Sequence, residues 1–252
     1  MRIHHQLLVL VTLVLSACAS SGSEERRSWT VGSDLANPPF AWVDEAGVPQ
    51  GRDVEMAKLL AYSMDVDLEW SRMDFADLLD VLERGEIDAV IATLGATPER
   101  AERVLLSEPY FLTSLLVVVR RGDGEPTSLA ELGGRVVSAG IGTTSERALR
   151  AELPDAIAAP PSEKGDSSID RLLAGEVDAL IMDGPDALDF AREYPDRLAV
   201  IEEALATENY VIAIRPDGAE WLRRINGALG ELSVSGNAKR LDDEFGLVSD
   251  AQ

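Results

Sequence analysis

One seven-residue pattern occurs twice in the chain, with an offset of 90 positions: residues 85–91 read GEIDAVI and residues 175–181 read GEVDALI. Each copy follows a leucine-rich stretch with helical spacing. In each copy a glycine ends the predicted helix, and a short apolar run then predicts a buried strand. Helix–glycine–strand units are common, so chance recurrence is the alternative. We interpret the repeat as evidence for two lobes of similar build.

Predicted strands and helices alternate through the rest of the chain. A strand is predicted at 29–33, and Thr97 is placed to cap a helix that begins at Pro98. This rhythm favours an α/β fold with two mixed, mostly parallel sheets and helices on both faces. The segments 115–120 and 209–215 each end in an arginine before a glycine-containing turn. We expect them to form a two-strand hinge beside a ligand-binding cleft.

The amino terminus has the pattern of an export signal. Residues 7–15 are apolar apart from one threonine, and this run of nine is too short to span a bilayer. Residues 15–18 read LSAC and resemble the lipobox of bacterial lipoproteins, in which the cysteine is lipidated. An ordinary signal peptide with a chance cysteine is the alternative. We expect a signal peptide at 1–17, lipidation (palmitate included) at Cys18, and a flexible tether over 18–28.

The composition of the predicted mature chain limits the kinds of catalytic and metal site that it can form. Removal of residues 1–17 would leave 235 residues, among them 22 basic and 45 acidic ones, for a net charge of −23. It would also remove both histidines, so Ser-His-Asp triads, Cys-His pairs and His- or Cys-based zinc sites are excluded. The negative charge argues against nucleic-acid partners. Carboxylate chemistry stays open, and we expect no metal and no cofactor.

Short motifs spread over the predicted mature chain resemble those of the extracellular solute-binding proteins of family 3, the receptors of polar amino-acid ABC importers. The matching segments, in family order, are 31–34, 38–40, 51–57, 74–75, 87–91, 97–100, 107–110, 128–132, 142–146 and 177–183. The resemblance implies a type II periplasmic-binding-protein fold, with lobe 1 at 29–117 and 210–252 and lobe 2 at 118–209. It also implies a monomer at the cell envelope, with a membrane permease as its partner.

The resemblance assigns the two charges of an amino acid to two residues. Both charges need partners when they are buried. Arg100 matches the family's carboxylate-binding arginine, and a solvated residue paired with a neighbouring acid is the alternative. Asp183 matches the ammonium-binding aspartate, and a helix N-cap is the alternative or an added role.

Further contacts follow from the same resemblance. Backbone groups of Thr93, Leu94 and Gly95, and of Gly142, Thr143 and Thr144, are expected to face the carboxylate. Phe75 is expected to pack on the ligand, with core packing as the alternative. Asp34 is expected to contact the ammonium or the ligand side chain, with a turn-forming role as the alternative.

Three positions depart from the family pattern. Asn37 stands where an aromatic is common, and it is expected to bind the ligand as an open or polar wall of the side-chain pocket. Gly95 stands where a hydroxyl residue is common, and Arg52 where an aromatic usually precedes Asp53. These departures leave the ligand open. We expect a lipid-anchored protein that binds a small zwitterion for an ABC importer. The alternatives are a sensor without transport and an enzyme resembling cyclohexadienyl dehydratase, with Glu146 or Asp183 as the acid.

Overall fold

The computed structural model describes residues 26–161 and 167–247. The predicted signal peptide and Cys18 therefore lie outside the described residues. The strands are β1 (Ser28–Ser33), β2 (Ala36–Asn37), β3 (Ala41–Val43), β4 (Pro49–Gln50), β5 (Asp67–Arg72), β6 (Ala89–Val90), β7 (Leu105–Leu106), β8 (Phe111–Arg120), β9 (Val136–Ser138), β10 (Ile157–Ala158), β11 (Ala179–Asp183), β12 (Leu198–Val200), β13 (Ala206–Tyr210) and β14 (Ala213–Ile214). The helices are α1 (Arg52–Met64), α2 (Leu78–Glu83), α3 (Pro98–Arg103), α4 (Thr144–Glu152), α5 (Ser168–Ala174), α6 (Gly184–Glu193), α7 (Ala219–Val234) and α8 (Asn237–Glu244). None of these helices has the length and apolarity needed to cross a membrane.

Two mixed sheets organise the chain, as the alternation of elements predicted. The first has the order β5-β1-β6-β14-β7, and the second has the order β10-β9-β11-β8-β12 with β13 also paired to β8. Parallel pairs join β1 to β5 and β6, and β9 to β10 and β11. The parallel share is smaller than expected, because β8 pairs antiparallel with three strands.

The two copies of the repeated pattern form equivalent turns. Gly85 and Gly175 each follow a helix and have φ values of +74° and +79°. Glycine adopts this left-handed conformation at no steric cost, which is why it so often follows the end of a helix. In both turns the glycine N–H donates to a carbonyl of the preceding helix, to that of Leu82 in the first and to that of Leu172 in the second. The pattern therefore predicted a real structural repeat.

The strand of each copy is buried on both faces. Ala89 and Ile91 pack with α1 and α7, while Val90 packs with α2 on the opposite face. In the second copy the corresponding positions alternate in the same way between α4 on one face and α5 on the other. Successive side chains of a strand point to opposite faces, so a continuous apolar run is what a sheet covered on both sides requires.

The aspartate of each copy fixes the neighbouring strand. The Asp88 carboxylate accepts the N–H of Thr30 at 3.0 Å, and the Asp178 carboxylate accepts the N–H of Val136 at 2.8 Å. In both cases the backbone N–H of the aspartate donates back to the carbonyl of the same residue. Each aspartate thus satisfies a backbone N–H donor of the strand that runs beside its own.

Each of these carboxylates also lies beside an arginine that follows or ends a strand of the same sheet. Arg215 is 3.4 Å from Asp88, and Arg120 is 3.5 Å from Asp178. These are the two arginines that end the similar segments noted in the sequence. The two sheets therefore share a local arrangement of aspartate, arginine and strand end.

The chain passes between the sheets twice. All of β8 belongs to the second sheet, so sheet membership places the first crossing at 107–110, ahead of the expected 115–120. The return crossing follows Tyr210, inside the expected 209–215. We propose a division into lobe 1, with residues 26–110 and 211–247, and lobe 2, with residues 111–210.

Arg52 is a structural residue of lobe 1. Its side chain is 1% exposed, and its Nε lies 2.9 Å from a carboxylate oxygen of Asp242 on α8. Its other nitrogens contact the carboxylate of Asp53 at 3.4 Å and the carbonyl of Tyr110 at 3.1 Å. This departure from the family pattern therefore joins α1 to α8 and to the first crossing.

The repeated aspartates should matter equally to stability. Asp88→Ala and Asp178→Ala each remove an acceptor for a partly buried strand N–H and a partner for an arginine. We expect each to cost about 2 kcal/mol and to lower the Tm by about 4–8 °C, measured by circular dichroism. The exposed Asp196→Ala is the matched control and should melt with the wild type. A wild-type Tm for either variant would contradict this account of the repeat.

Candidate functional site

A cavity of about 700 Å³ lies between the two lobes. Lobe 1 supplies Phe75 and part of α3, and lobe 2 supplies the turn at 141–143 and part of α4. Among the predicted site residues, this cavity brings together Phe75, Leu94, Arg100, Gly142, Thr143 and Thr144.

Arg100 spans the cavity from one lobe to the other. Thr97 caps α3 as predicted, with its hydroxyl accepting the Arg100 N–H at 3.2 Å. The guanidinium is buried and donates to the carbonyl of Gly95 at 2.6 Å and to that of Gly142 at 3.1 Å. The alternative of a solvated residue is wrong here, and Glu99 pairs instead with Arg147 across the cavity at 3.6 Å. Burial lowers the pKa of Arg100.

Phe75 lies beside this arginine. Its ring centroid is 5.8 Å from the guanidinium carbon of Arg100, a distance suited to a cation–π contact. The side chain is only partly buried and lines the cavity. Phe75 therefore combines partial core packing with a face that a ligand can touch.

The loop at 93–96 is held in an unusual conformation. Thr93 has a φ of +47°, a left-handed value that a β-branched residue rarely adopts. Its hydroxyl accepts the side-chain amide of Asn37 at 3.0 Å, and its backbone N–H bonds the buried Asp53. Burial raises the pKa of Asp53 to about 6, against the lowering effects of Arg52, Tyr110 and this N–H. Gly95 pairs with Tyr210 in an isolated antiparallel bridge. The loop is thus fixed from three sides, which suits a pre-formed binding surface.

The turn at 142–144 differs from the expectation. The Gly142 N–H donates to the Glu146 carboxylate at 2.8 Å, and the Thr143 N–H donates to the Gly140 carbonyl at 3.3 Å. Two of the three amides expected to face a ligand anion are therefore engaged within the protein. The Glu146 carboxylate thus occupies the anion position at this turn, and α4 begins at Thr144.

Asp183 ends β11 and turns its carboxylate toward the second crossing. It accepts the phenol of Tyr210, and it makes no capping hydrogen bond to α6. The N-cap alternative therefore describes its position but not its side chain. Burial raises the pKa of Asp183, while Tyr210 and Arg100 lower it. Nearby, burial and the Asp183 charge raise the pKa of Asp186 to about 7.

Asp34 is engaged by its own turn. Burial raises its pKa, and the backbone N–H groups of Leu35 and Ala36 act in the opposite direction. Arg72 is a further favourable charge. This arrangement fits the turn-forming alternative, and a ligand contact by Asp34 stays a prediction.

Glu208 is a residue that sequence reasoning missed. It lies on β13 with 4% exposure, and its carboxylate accepts the Thr144 hydroxyl at 3.0 Å. A Cβ on Gly95 would lie 1.7 Å from the Oε1 of Glu208, so the carboxylate fills the space beside Gly95. Burial and the Asp183 charge raise the pKa of Glu208 to about 7, against the effects of Thr144 and Arg100. The one signal in the sequence is its place two residues before Tyr210, just ahead of the predicted segment 209–215.

Comparison with known proteins places this geometry in a family. The model of the bacterial extracellular solute-binding proteins, family 3, matches residues 29–248. A curated relative, the L-cystine-binding protein TcyJ of Escherichia coli (strain K12), is 27% identical over 223 residues, which cover 88% of this chain and 84% of the relative.

Solved structures of similar fold are also amino-acid-binding proteins. An ancestral arginine-binding protein bound to arginine has a TM-score of 0.78 and 31% identity, covering 88% of this chain and 99% of its own. The ancestral amino acid-binding protein AncCDT-1, a precursor of cyclohexadienyl dehydratase, has a TM-score of 0.77 and 26% identity, with coverages of 86% and 94%. The two-lobed α/β architecture is thus that of type II periplasmic binding proteins, and the chain belongs to the bacterial extracellular solute-binding proteins of family 3.

Proposed function

We propose that this protein captures an amino acid between its lobes outside the cytoplasm and delivers it to an ABC importer. The observation that carries the proposal is the buried Arg100, which contacts both lobes and lies near the Asp183 carboxylate. A cleft with a fixed cation and a fixed anion suits a zwitterion, because each ligand charge finds a partner of opposite sign.

The contacts suggest how the ligand is held. Its carboxylate would take the Arg100 N–H groups that face the cavity, together with the backbone of the loop at 93–95 and the Thr144 amide. Its ammonium would take Asp183, and its side chain would lie against Phe75. Asp34 stays a candidate second partner for the ammonium.

Ligand binding would favour the closed form, in which both lobes contact the ligand. Arg100 reaches the carbonyl of Gly142 in lobe 2, and Glu99 reaches Arg147 in lobe 2. A ligand that binds between the same surfaces stabilises the closed arrangement over the open one, since only the closed form contacts it from both sides. The closed lobes would together form the surface that a permease recognises.

Binding is favoured over catalysis. The named relatives are binding proteins, although one of the structural relatives is a precursor of a dehydratase. One candidate acid, Glu146, is engaged by the Gly142 N–H and by Arg150. The other, Asp183, accepts the phenol of Tyr210 and lies near Arg100, so that an anion and a cation stand together as a zwitterionic ligand requires.

Export with a lipid anchor at Cys18 completes the proposal. It is supported by the apolar run at 7–15 and by the LSAC sequence that ends it. A lipid on residue 18 would hold the lobes at the membrane surface through the segment 18–28.

Replacement of Arg100 should abolish binding. Arg100→Ala removes the charged donors for the ligand carboxylate, and charge-assisted hydrogen bonds of this kind make a loss of about 100-fold or more the expected result. The measurement is isothermal titration calorimetry with a panel of amino acids. Arg84→Ala, which removes an exposed arginine paired with Glu86, is the control. Unchanged affinity in Arg100→Ala would contradict the assignment.

Replacement of Cys18 should release the protein from the membrane. The chain has one cysteine, so a Cys18→Ser variant carries no other thiol that could be lipidated. We expect the wild type to fractionate with membranes and to incorporate labelled palmitate, and the variant to be soluble and unlabelled. A membrane-bound Cys18→Ser protein would contradict lipid anchoring, and leave amino-acid binding unaffected.

A further inference from the structure

Glu208 and Asp183 lie behind the residues that line the cavity, and Glu208 reaches one of them, Thr144. Residues two apart on a strand point to the same side, so Glu208 and Tyr210 face the same way from β13. Tyr210 donates its phenol to Asp183, and the Asp183 charge acts on Glu208. Glu208 itself is buried, and its hydrogen-bond donor is the neutral hydroxyl of Thr144. Two carboxylates therefore stand together behind the cavity-lining Thr144, in a region that we call the inner end of the cleft.

The charges at the rim of the cleft are paired. The arginines that line it pair as follows: Arg103 with Asp80 and Glu83, Arg147 with Glu99, and Arg150 with Glu146. Each of these rim arginines thus has an acidic partner, and the pairs contain four carboxylates against three arginines.

The charges at the inner end are not balanced. Arg100 from α3 faces Asp183 from β11 and Glu208 from β13, and Asp186 from α6 interacts with Asp183. The Arg100 guanidinium donates to two backbone carbonyls, with neither carboxylate among its hydrogen-bond partners. Three acidic groups thus stand against one cation in a region that closure takes out of water. A zwitterion adds no net charge, so it would leave the imbalance in place, and buried carboxylates without a cationic partner are costly.

The absence of a side chain at Gly95 leaves room for the Glu208 carboxylate. A side chain at position 95 would collide with Oε1 of Glu208 and with its carboxyl carbon, which would lie 1.7 and 2.8 Å from the added Cβ. The hydroxyl residue that the family commonly has at this position could not coexist with Glu208 in this conformation. The glycine and the glutamate therefore act as a pair.

We propose that Glu208 is a ligand-recognition residue, and that it selects a ligand with a net positive charge, such as a dibasic amino acid. The second cationic group of that ligand would face Glu208, while its carboxylate and α-ammonium face Arg100 and Asp183. This inference rests on the proposed function, and it adds the charge class of the ligand and the residue that sets it.

Calorimetry with a charge series tests the proposal. L-Arginine, L-lysine, L-glutamine and L-glutamate are titrated into the wild type and into Glu208→Gln, which keeps the shape and can still accept from Thr144. We expect a dibasic ligand to bind the wild type at least about 10-fold more tightly than glutamine. We expect Glu208→Gln to lose most of that preference while its affinity for glutamine changes less than about threefold.

Two further variants separate the local charge from a general effect. Gly95→Ser should displace the carboxylate and reduce the same preference, with Glu208 still present in the chain. Glu203→Gln, at an exposed position of the same connection, should behave as the wild type. Thermal melting of each variant verifies that it is folded.

The outcomes distinguish this inference from the proposed function. If glutamine or glutamate binds the wild type as tightly as the dibasic ligands, the inference is overturned and amino-acid binding stands. A Glu208→Gln variant that keeps the full preference also overturns it. If none of a complete amino-acid panel binds, the proposed function is refuted, and this inference with it.

The pH dependence of the wild type gives a test that needs no variant. The pKa of Glu208 is raised to about 7, so the group is mostly protonated at pH 6 and mostly ionised at pH 8. A cation binds the ionised form, so its affinity should rise across this interval by several-fold, to a limit of about 10-fold for this one group. Asp186, with a pKa of about 7, contributes in the same direction. Glu208→Gln should flatten the profile, and a wild-type affinity that is constant from pH 6 to 8 would count against Glu208 as the recognition group.

Discussion

The antiparallel pairing of the two strands that flank the crossings, β8 and β13, is the constraint on which the site depends. Its register sets Tyr210 opposite Phe111. From there Tyr210 reaches Asp183 through its phenol and Gly95 through its backbone bridge. Phe40 packs against Tyr210 and Phe111 and closes the aromatic cluster beneath the crossings. The positions of the groups proposed to bind the ligand thus depend on one strand. A shift in its register would move Asp183 and Glu208 relative to Arg100.

Two buried arginines show how burial alone fails to identify a binding residue. Arg52 is more fully buried than Arg100, and it has carboxylates of Asp53 and Asp242 within 3.4 and 2.9 Å. Its charge is compensated inside the protein, so its role is to hold α1 and α8 together. The hydrogen bonds of Arg100 go to carbonyls, and its nearest acidic groups act at longer range. A buried charge with incomplete local compensation is the one that a ligand stabilises.

The fold was predictable from the sequence to the extent that its determinants are local. Gly85 and Gly175 end helices, Thr97 caps one, and the apolar runs that follow the glycines form strands buried on both faces, since these outcomes depend on a few adjacent residues. The place of the first crossing is not set by local sequence, because 115–120 has the pattern of a strand whichever strands it pairs with. Glu208 was missed because its partners, Gly95, Thr144 and Asp183, are distant in sequence and meet only after both lobes form. The sequence shows that position 95 is a glycine, but it does not show that the Glu208 carboxylate fills the space beside it.

The order of the chain through the sheets has a kinetic consequence. The second sheet is built from a continuous stretch, 111–210, whereas the first sheet needs β14 at residue 213 to pair with β6 at residue 90. Loop closure over such a separation is entropically costly until the intervening segment is compact. Lobe 2 is therefore expected to fold first. Its folding brings the two ends of the stretch 111–210 together by pairing β8 with β13, and lobe 1 can then complete its own sheet. During synthesis, the amino-terminal elements of lobe 1 would wait for residues made more than a hundred positions later.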